Sequence, residues 1–394
     1  MKGLFFIENF IAGGADTMAR ILVNNMRFAN IDIMVNKNHD TSILLGGELP
    51  TNVNVINYRL ITIPELLSLS KYFNNKLLNI PLWFLTRLLS YPLFFISILY
   101  FLILIIRSKP DIFIANNGGY PAAYYCRSAT IAASLLSGIK IFHIVHSMAT
   151  ISSWALIPIE YLIDRLIDTR SKLITVSHAT ADRLRDVRWI KQKPIVIYNG
   201  IPDISLANIN NTPVFRILSV GYFDNNKNQA LLIKAVHEIK SRGISEFQVD
   251  FLGKETELHG LELCKNIVLE YELEKNVKFH GFMGNITDWY LKCDVYVLTS
   301  KLEGLPVSII EAMRSAKPII ATNVGGIKEL VDNNKNGYLI DSNNSEVLAE
   351  KLNYLMMNKK VCSDLGRNSR LRYEKYFMQE NMVNEYERTV GIFQ

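Results

Sequence analysis

Short runs of apolar residues alternate along this chain with longer segments in which apolar positions recur at helical spacing. In the first half the runs are Gly3–Ile7, Ile31–Val35, Val53–Tyr58, Asp111–Ala115, Ile139–Val145, Leu173–Val176 and Ile195–Tyr198. In the second half they are Arg216–Val220, Gln248–Leu252, Val277–Phe279, Val295–Leu298, Pro318–Ala321 and Gly337–Leu339. Most are apolar on successive residues rather than on alternate ones, the mark of strands buried on both faces. With helices between them, they predict parallel sheets covered on both sides. The two series part at Asn199–Pro213, which holds two Pro, one Gly and four Asn and reads as a linker. The expected architecture is therefore α/β, with two Rossmann-like, doubly wound lobes over residues 1–200 and 201–376. A charged helical tail, 377–394, can pack back on the first lobe.

One stretch departs from this rhythm. Tyr91–Ile106 is sixteen residues without a charge, short of the roughly 20 that a membrane-spanning helix needs. Pro92 is expected at a helix start rather than inside one. A buried helix, an interfacial helix and a span all remain open. Apolar character all round, with Arg87, Arg107 and Lys109 at its flanks, favours a helix of the first lobe whose outer face meets lipid. Leu77–Leu89, with Trp83 and Phe84, extends that surface, so that 77–107 is the membrane-facing segment.

Composition narrows the class. A chain of 394 residues, 49% hydrophobic, suits two cores better than one. Cys126, Cys264, Cys293 and Cys362 stand singly, which suggests neither a zinc site nor a disulfide framework and fits a reducing compartment. The apolar start ends at Glu8, too soon for a signal peptide. Lys and Arg outnumber Asp and Glu by 20 to 12 in residues 1–200, against 23 to 25 in the remainder, so the net +6 belongs to the first half. A basic first lobe suits anionic lipid or a phosphorylated substrate. Without a clustered Lys/Arg and aromatic run, it does not suit nucleic acid.

In open parallel sheets, ligands bind beyond the carboxyl ends of strands, so the residues after each strand are the candidates for chemistry. After the first strand, Gly13-Gly14-Ala15-Asp16 opens a helix; the paired glycines permit a close backbone approach, and the helix start favours an anion. Asn116-Asn117-Gly118-Gly119-Tyr120-Pro121 follows the fourth strand, and His146 follows the fifth. In the second half, Gly221-Tyr222-Phe223 leads to Lys227 at a helix start, a suitable phosphate cradle. Glu303-Gly304-Leu305-Pro306-Val307 turns from a strand into a helix that carries Glu311. Two carboxylates at such a turn suit a polyhydroxyl ligand, which offers many O–H donors. Gly325-Gly326, with Glu329, forms a further strand-to-helix turn. Each turn alone is also what an ordinary loop looks like; their order along the chain is the stronger signal.

That order resembles the retaining glycosyltransferases of the two-lobe GT-B fold known as glycosyltransferase family 4. The resemblance covers nearly the whole chain: Gly13–Asp16, His146, Val176-Ser177, Tyr198-Asn199-Gly200, Gly221 to Lys227, Glu303 with Glu311, and Gly325-Gly326 with Glu329. It implies that Glu311 grips the ribose hydroxyls of a UDP- or GDP-linked sugar. Glu303 would contact the transferred sugar, helped by backbone amides near Gly304 and Leu305, and Lys227 would meet the diphosphate. Gly281-Phe282-Met283 would form the nucleobase pocket. Gly13, Gly14, Asn117, Gly118, Gly119, Tyr120 and His146 would lie on the acceptor side, and His146, Lys227 and Glu303 would be the catalytic residues. The family often has arginine directly after the phosphate-loop glycine; this chain has Tyr222. The resemblance implies independence of metal, and the chain contains no Asp-x-Asp motif. With the basic first lobe and the apolar segment, it points to a lipid-linked saccharide acceptor in O-antigen, capsule or lipopolysaccharide assembly. That work would be done at the cytoplasmic face of the inner membrane, with peripheral or monotopic attachment. A nucleotide-sugar epimerase and a degenerate assembly subunit are the rival expectations.

Overall fold

The structure, a computed structural model, describes residues 1–8, 13–37, 49–62, 76–206, 214–255 and 259–392, without the side chains of 76–89 and 155. The side chains of Trp83, Phe84 and Arg87, together with Ile11-Ala12 and residues 207–213 of the linker, therefore lie outside what is described.

Two compact units form, Met1–Tyr198 with Met382–Gln394, and Asn199–Asn381. The first holds a seven-stranded parallel sheet of order β3-β2-β1-β4-β5-β6-β7. Its strands are β1 (Lys2–Glu8), β2 (Asn30–Asn36), β3 (Val53–Tyr58), β4 (Ile112–Asn117), β5 (Lys140–Val145), β6 (Lys172–Thr175) and β7 (Ile195–Val196). The second unit holds a six-stranded parallel sheet of order β10-β9-β8-β11-β12-β13. These strands are β8 (Phe215–Val220), β9 (Phe247–Leu252), β10 (Val277–Phe279), β11 (Val295–Leu298), β12 (Ile319–Thr322) and β13 (Gly337–Ile340). Every expected run became a strand, because side chains such as Leu4, Phe6 and Phe113 in one unit and Ile217, Val249 and Val297 in the other are shut away between helices. In each sheet the first strand, β1 or β8, has neighbours on both sides, so the order in which strands are added reverses there while all strands stay parallel. That reversal opens a crevice at the carboxyl ends of β1 and β4, and of β8 and β11.

Two expectations are corrected. Pro92 lies inside a 33-residue helix, Lys76–Ser108, not at its start. An interior proline loses one backbone hydrogen bond, and here the apolar packing on both sides of it outweighs that loss: Tyr91 and Phe94 are buried in one core cluster, and Phe101 and Ile105 in another. Asn116 and Asn117 belong to β4 itself, fully buried, rather than to the loop after it. Their amides are satisfied locally, which lets two polar residues extend an apolar strand.

The first unit also buries charge. Arg127 donates to Glu160 at 2.8 Å, Arg188 pairs with Glu160 and, at 2.8 Å, with Asp164, and Tyr91 Oη donates to Glu160 Oε1 at 2.8 Å. These bonds tie the long helix to the helices Tyr124–Ser134 and Ile157–Arg170. The terminal helix Gln379–Val390 places its buried Glu387 against the first unit: Arg27 donates to it from Nη2 at 2.6 Å and from its backbone N–H at 2.7 Å.

Candidate active site

In the second unit the loops after β8 and β11 are knitted together. Thr299 Oγ1 donates to the carbonyls of Lys227 and Asn228 at 2.9 and 3.0 Å. The Lys301 N–H meets the Asn226 carbonyl at 2.7 Å, and Asn226 Nδ2 returns to the Leu302 carbonyl at 3.0 Å. The consequence is a contact across 76 residues of sequence: Lys227 Nζ lies 2.5 Å from Glu303 Oε1. The cation expected at the diphosphate and the carboxylate expected at the sugar thus form one ion pair, both largely withdrawn from water.

Glu303 is held from behind by glycines. Gly326 N–H donates to the Glu303 carbonyl at 3.1 Å. Gly325 adopts φ +50°, and a Cβ there would stand 1.9 Å from that same oxygen. Only glycine allows this approach. Gly304, Leu305 and Pro306 are buried, and Pro306 caps the helix Val307–Arg314. Asn199, met in sequence as the start of a linker, donates from Nδ2 to the Leu305 carbonyl at 3.0 Å. It is a supporting residue of the turn, and only its place beside Leu305 in the fold could show that.

Glu311 sits just over one turn into this helix. The Tyr290 hydroxyl donates to its Oε2 at 3.0 Å. Burial lifts the Glu311 carboxyl from an ordinary 4.5 to about 7, with the Tyr290 bond and Arg314 acting in the opposite sense. A carboxyl poised between its two forms near neutrality is turned fully anionic by hydroxyl donors, because such bonds favour the charged form. Gly281 has φ +70° and open space around it, and Phe282 is 64% exposed beside the exposed Met283. Large apolar side chains left in water beyond a strand end suit a planar ligand. Tyr222 does not replace an arginine chemically; its carbonyl accepts Gln229 Nε2 at 2.7 Å, and its ring faces Lys254.

In the first unit the crevice beyond β1 and β4 is lined by buried titratable groups. Gly13 caps the helix Gly14–Asn25, and its N–H donates to Asp16 Oδ2 at 2.7 Å. Burial raises the Asp16 carboxyl to about 7 against the pull of that bond, and Oδ1 has no partner. Asn116 Nδ2 donates to the Ala15 carbonyl at 3.1 Å, so its Oδ1 faces His146 Nε2 at 2.7 Å. Burial lowers His146 to about 4. The ring is therefore neutral at neutral pH, with Nε2–H donating to Asn116 and Nδ1 buried as an unpartnered acceptor. Burial thus leaves Nδ1 as an unused acceptor on the acceptor side of the site and disfavours a positive charge on the ring.

Two acceptor-side expectations change character. Asn117 is buried, its Oδ1 taking the Gly119 N–H at 2.9 Å and its amide nitrogen meeting His143 Nε2 at 3.0 Å. Tyr120 turns inward and donates to Asp164 Oδ1 at 2.7 Å, with Arg127 and Arg188 over its ring. Both shape the loop through Gly118 and Gly119 rather than reaching for a ligand. Glu8 is a further buried titratable group that its place in the sequence alone does not single out: at the end of β1 it accepts the Cys126 N–H at 2.9 Å, and burial raises its carboxyl to about 7. The available signal is a carboxylate ending an otherwise apolar strand. Among the described residues no cluster of His, Cys, Asp and Glu is arranged to hold a metal ion.

Two doubly wound parallel sheets, each with polar groups gathered at its switch point, are the two Rossmann-like domains of the GT-B fold. The sequence matches the family described as Glycosyl transferases group 1 over residues 205–372 and Glycosyltransferase Family 4 over residues 61–203. The chain belongs to these glycosyltransferases. It is 30% identical over 224 residues, 56% of its length, to an uncharacterized glycosyltransferase of Haemophilus influenzae, 61% of which is covered. It is 28% identical over 125 residues, 31% of its length, to N,N'-diacetylbacillosaminyl-diphospho-undecaprenol alpha-1,3-N-acetylgalactosaminyltransferase of Campylobacter jejuni, 33% of which is covered. The matched stretch thus spans less than two thirds of either relative. The fold is shared with HepE of Anabaena, solved in complex with UDP, at TM-score 0.75 and 18% identity over 100% of both chains.

Proposed function

We propose that this protein is a retaining glycosyltransferase that moves a sugar from a UDP- or GDP-linked donor to a lipid-linked saccharide. Its setting is the assembly of a bacterial surface polysaccharide, O-antigen or capsule, at the cytoplasmic face of the inner membrane. The observation that carries this reading is the Lys227–Glu303 pair at the β8/β11 switch point, backed by Gly325 and flanked by Glu311. The donor diphosphate would draw Lys227 towards itself and release Glu303 to the sugar, while Glu311 takes the ribose hydroxyls. The bond from the anomeric carbon to phosphate breaks with its electron pair passing to the diphosphate. The acceptor oxygen bonds on the same face, and its proton passes to a diphosphate oxygen. Lys227 stabilises the charge that develops there, and this stabilisation is the main catalytic term. No step calls for a metal.

Membrane attachment is supported by the long helix. Its Ser90–Ser108 part is long and apolar enough to cross a bilayer, yet 33% of it is buried inside the protein. Phe95, Ile96, Leu99, Ile103 and Ile106 form an exposed stripe at helical spacing. Trp154, 84% exposed, and Ile157, Tyr161 and Leu162 add a second exposed apolar group on an adjoining segment. The C. jejuni relative's name contains diphospho-undecaprenol, which supports the acceptor class, and HepE, which shares the fold, is solved with UDP, which supports the donor class. The test supplies labelled UDP- and GDP-sugars and a bacterial lipid extract to the detergent-solubilised protein. Label in the lipid fraction with the donor's anomeric configuration is expected. Donor hydrolysis without lipid product, or an inverted anomer, contradicts the reading.

A further inference from the structure

Resting on the transferase reading, we propose that Lys254 is a second cation for the donor diphosphate, serving where the phosphate loop carries Tyr222 in place of a basic residue. Three loops of the second unit are fastened at one glycine. Gly253, directly after β9, has φ +147°, and a Cβ on it would stand 1.8 Å from the Gly221 carbonyl oxygen. Its N–H donates to the Gly281 carbonyl at 2.8 Å, on the loop that carries Phe282. The next residue, Lys254, accepts the Phe223 N–H at 3.0 Å, and Phe223 and Glu255 form a β-bridge. The backbone of Lys254 is therefore docked against the phosphate loop, and its side chain starts from a fixed position.

The ammonium group lies 6.0 Å from the centre of the Tyr222 ring and 5.9 Å from that of Phe282. Aromatic faces hold a cation without neutralising it. Among the described residues no carboxylate pairs with Lys254, whereas Lys227 is already engaged by Glu303. Lys227 in turn runs 3.4 Å from where a Cβ on Gly221 would stand. The two lysines thus flank consecutive residues of one loop, one at Gly221 and one over Tyr222. An anionic group resting on that loop meets both, and Tyr222 becomes the platform for a cation in place of being one.

The test titrates UDP, GDP and the matching nucleosides into the wild-type protein, Lys254→Ala and Lys254→Arg. The side chain is exposed, so neither change disturbs the core. Lys254→Ala is expected to weaken binding of the preferred nucleoside diphosphate by about 10- to 100-fold, the worth of a lost charge-assisted contact. Nucleoside binding should be unchanged, and Lys254→Arg should restore most of the loss. Diphosphate binding by Lys254→Ala within about two-fold of wild type, or an equal loss for nucleoside and diphosphate, overturns the inference while leaving the transferase reading intact. If the wild type binds no nucleoside diphosphate, the transferase reading falls and this inference falls with it.

Discussion

Glu311→Gln separates what the carboxylate costs from what it does. Burial holds Glu311 at about 7 rather than 4.5, so the folded protein keeps this proton to higher pH than the unfolded chain. Between those two values the native state binds more protons, and stability falls as pH rises through that window. Ionising the buried group costs at most about 3.4 kcal/mol, from the rise of 4.5 to about 7 at 1.36 kcal/mol per pKa unit. Because Glu311 is only half-buried, solvent reduces that to about 1–2 kcal/mol. Glutamine keeps the shape and avoids the charge. Above about pH 7 the variant should therefore need more urea to unfold than the wild type, and below about pH 4.5 the two should coincide. Function should move the other way. Ribose hydroxyls bond best to the anion, so wild-type affinity for the donor nucleotide should rise with pH through about 7, while that of the variant stays flat and lower by about 1.5–3 kcal/mol. Urea titrations followed by circular dichroism at about pH 5 and about pH 8, with calorimetric titration of the nucleotide at about pH 6 and about pH 8, read both effects. Equal urea midpoints at both pH values, together with undiminished nucleotide affinity, would refute the reasoning.

Two further changes test the supports of the site. Gly325→Ala drives a methyl group into the Glu303 carbonyl at a φ of +50°, which should cost about 1–3 kcal/mol of stability and displace Glu303. Thermal melting and donor titration should both fall, and an unchanged donor affinity would show that this turn does not position the carboxylate. Ile96→Glu with Leu99→Glu puts two charges on the exposed stripe of the long helix; co-sedimentation with anionic vesicles should be lost while donor binding persists, and continued sedimentation would place the membrane contact elsewhere.

The strands were legible because a parallel strand covered on both faces is apolar at successive residues, and each such run formed a strand within a residue or two. What escaped depended on partners remote in sequence. Asn116 and Asn117 look like loop residues until His143, His146 and Ala15 are beside them. Pro92 looked like a helix start because the packing that carries the helix through it comes from elsewhere in the fold. Within the site, Lys227, Glu303 and Glu311 could be picked out separately, each by its place after a strand. The family resemblance already assigned all three to one donor site; the direct Lys227–Glu303 contact was not legible, since it depends on hydrogen bonds between two loops that are 76 residues apart. Glu8 closes β1 and Lys254 comes two residues after β9, so both stand at strand ends as well.

The most direct measurement is calorimetric titration of UDP and GDP into the wild-type protein and into Lys227→Ala. One of the two nucleotides should bind the wild type and lose most of its affinity in the variant, since Lys227 is the cation poised at the switch point of the second sheet. Binding of neither nucleotide, or binding that ignores the loss of Lys227, would contradict the assignment of the donor site.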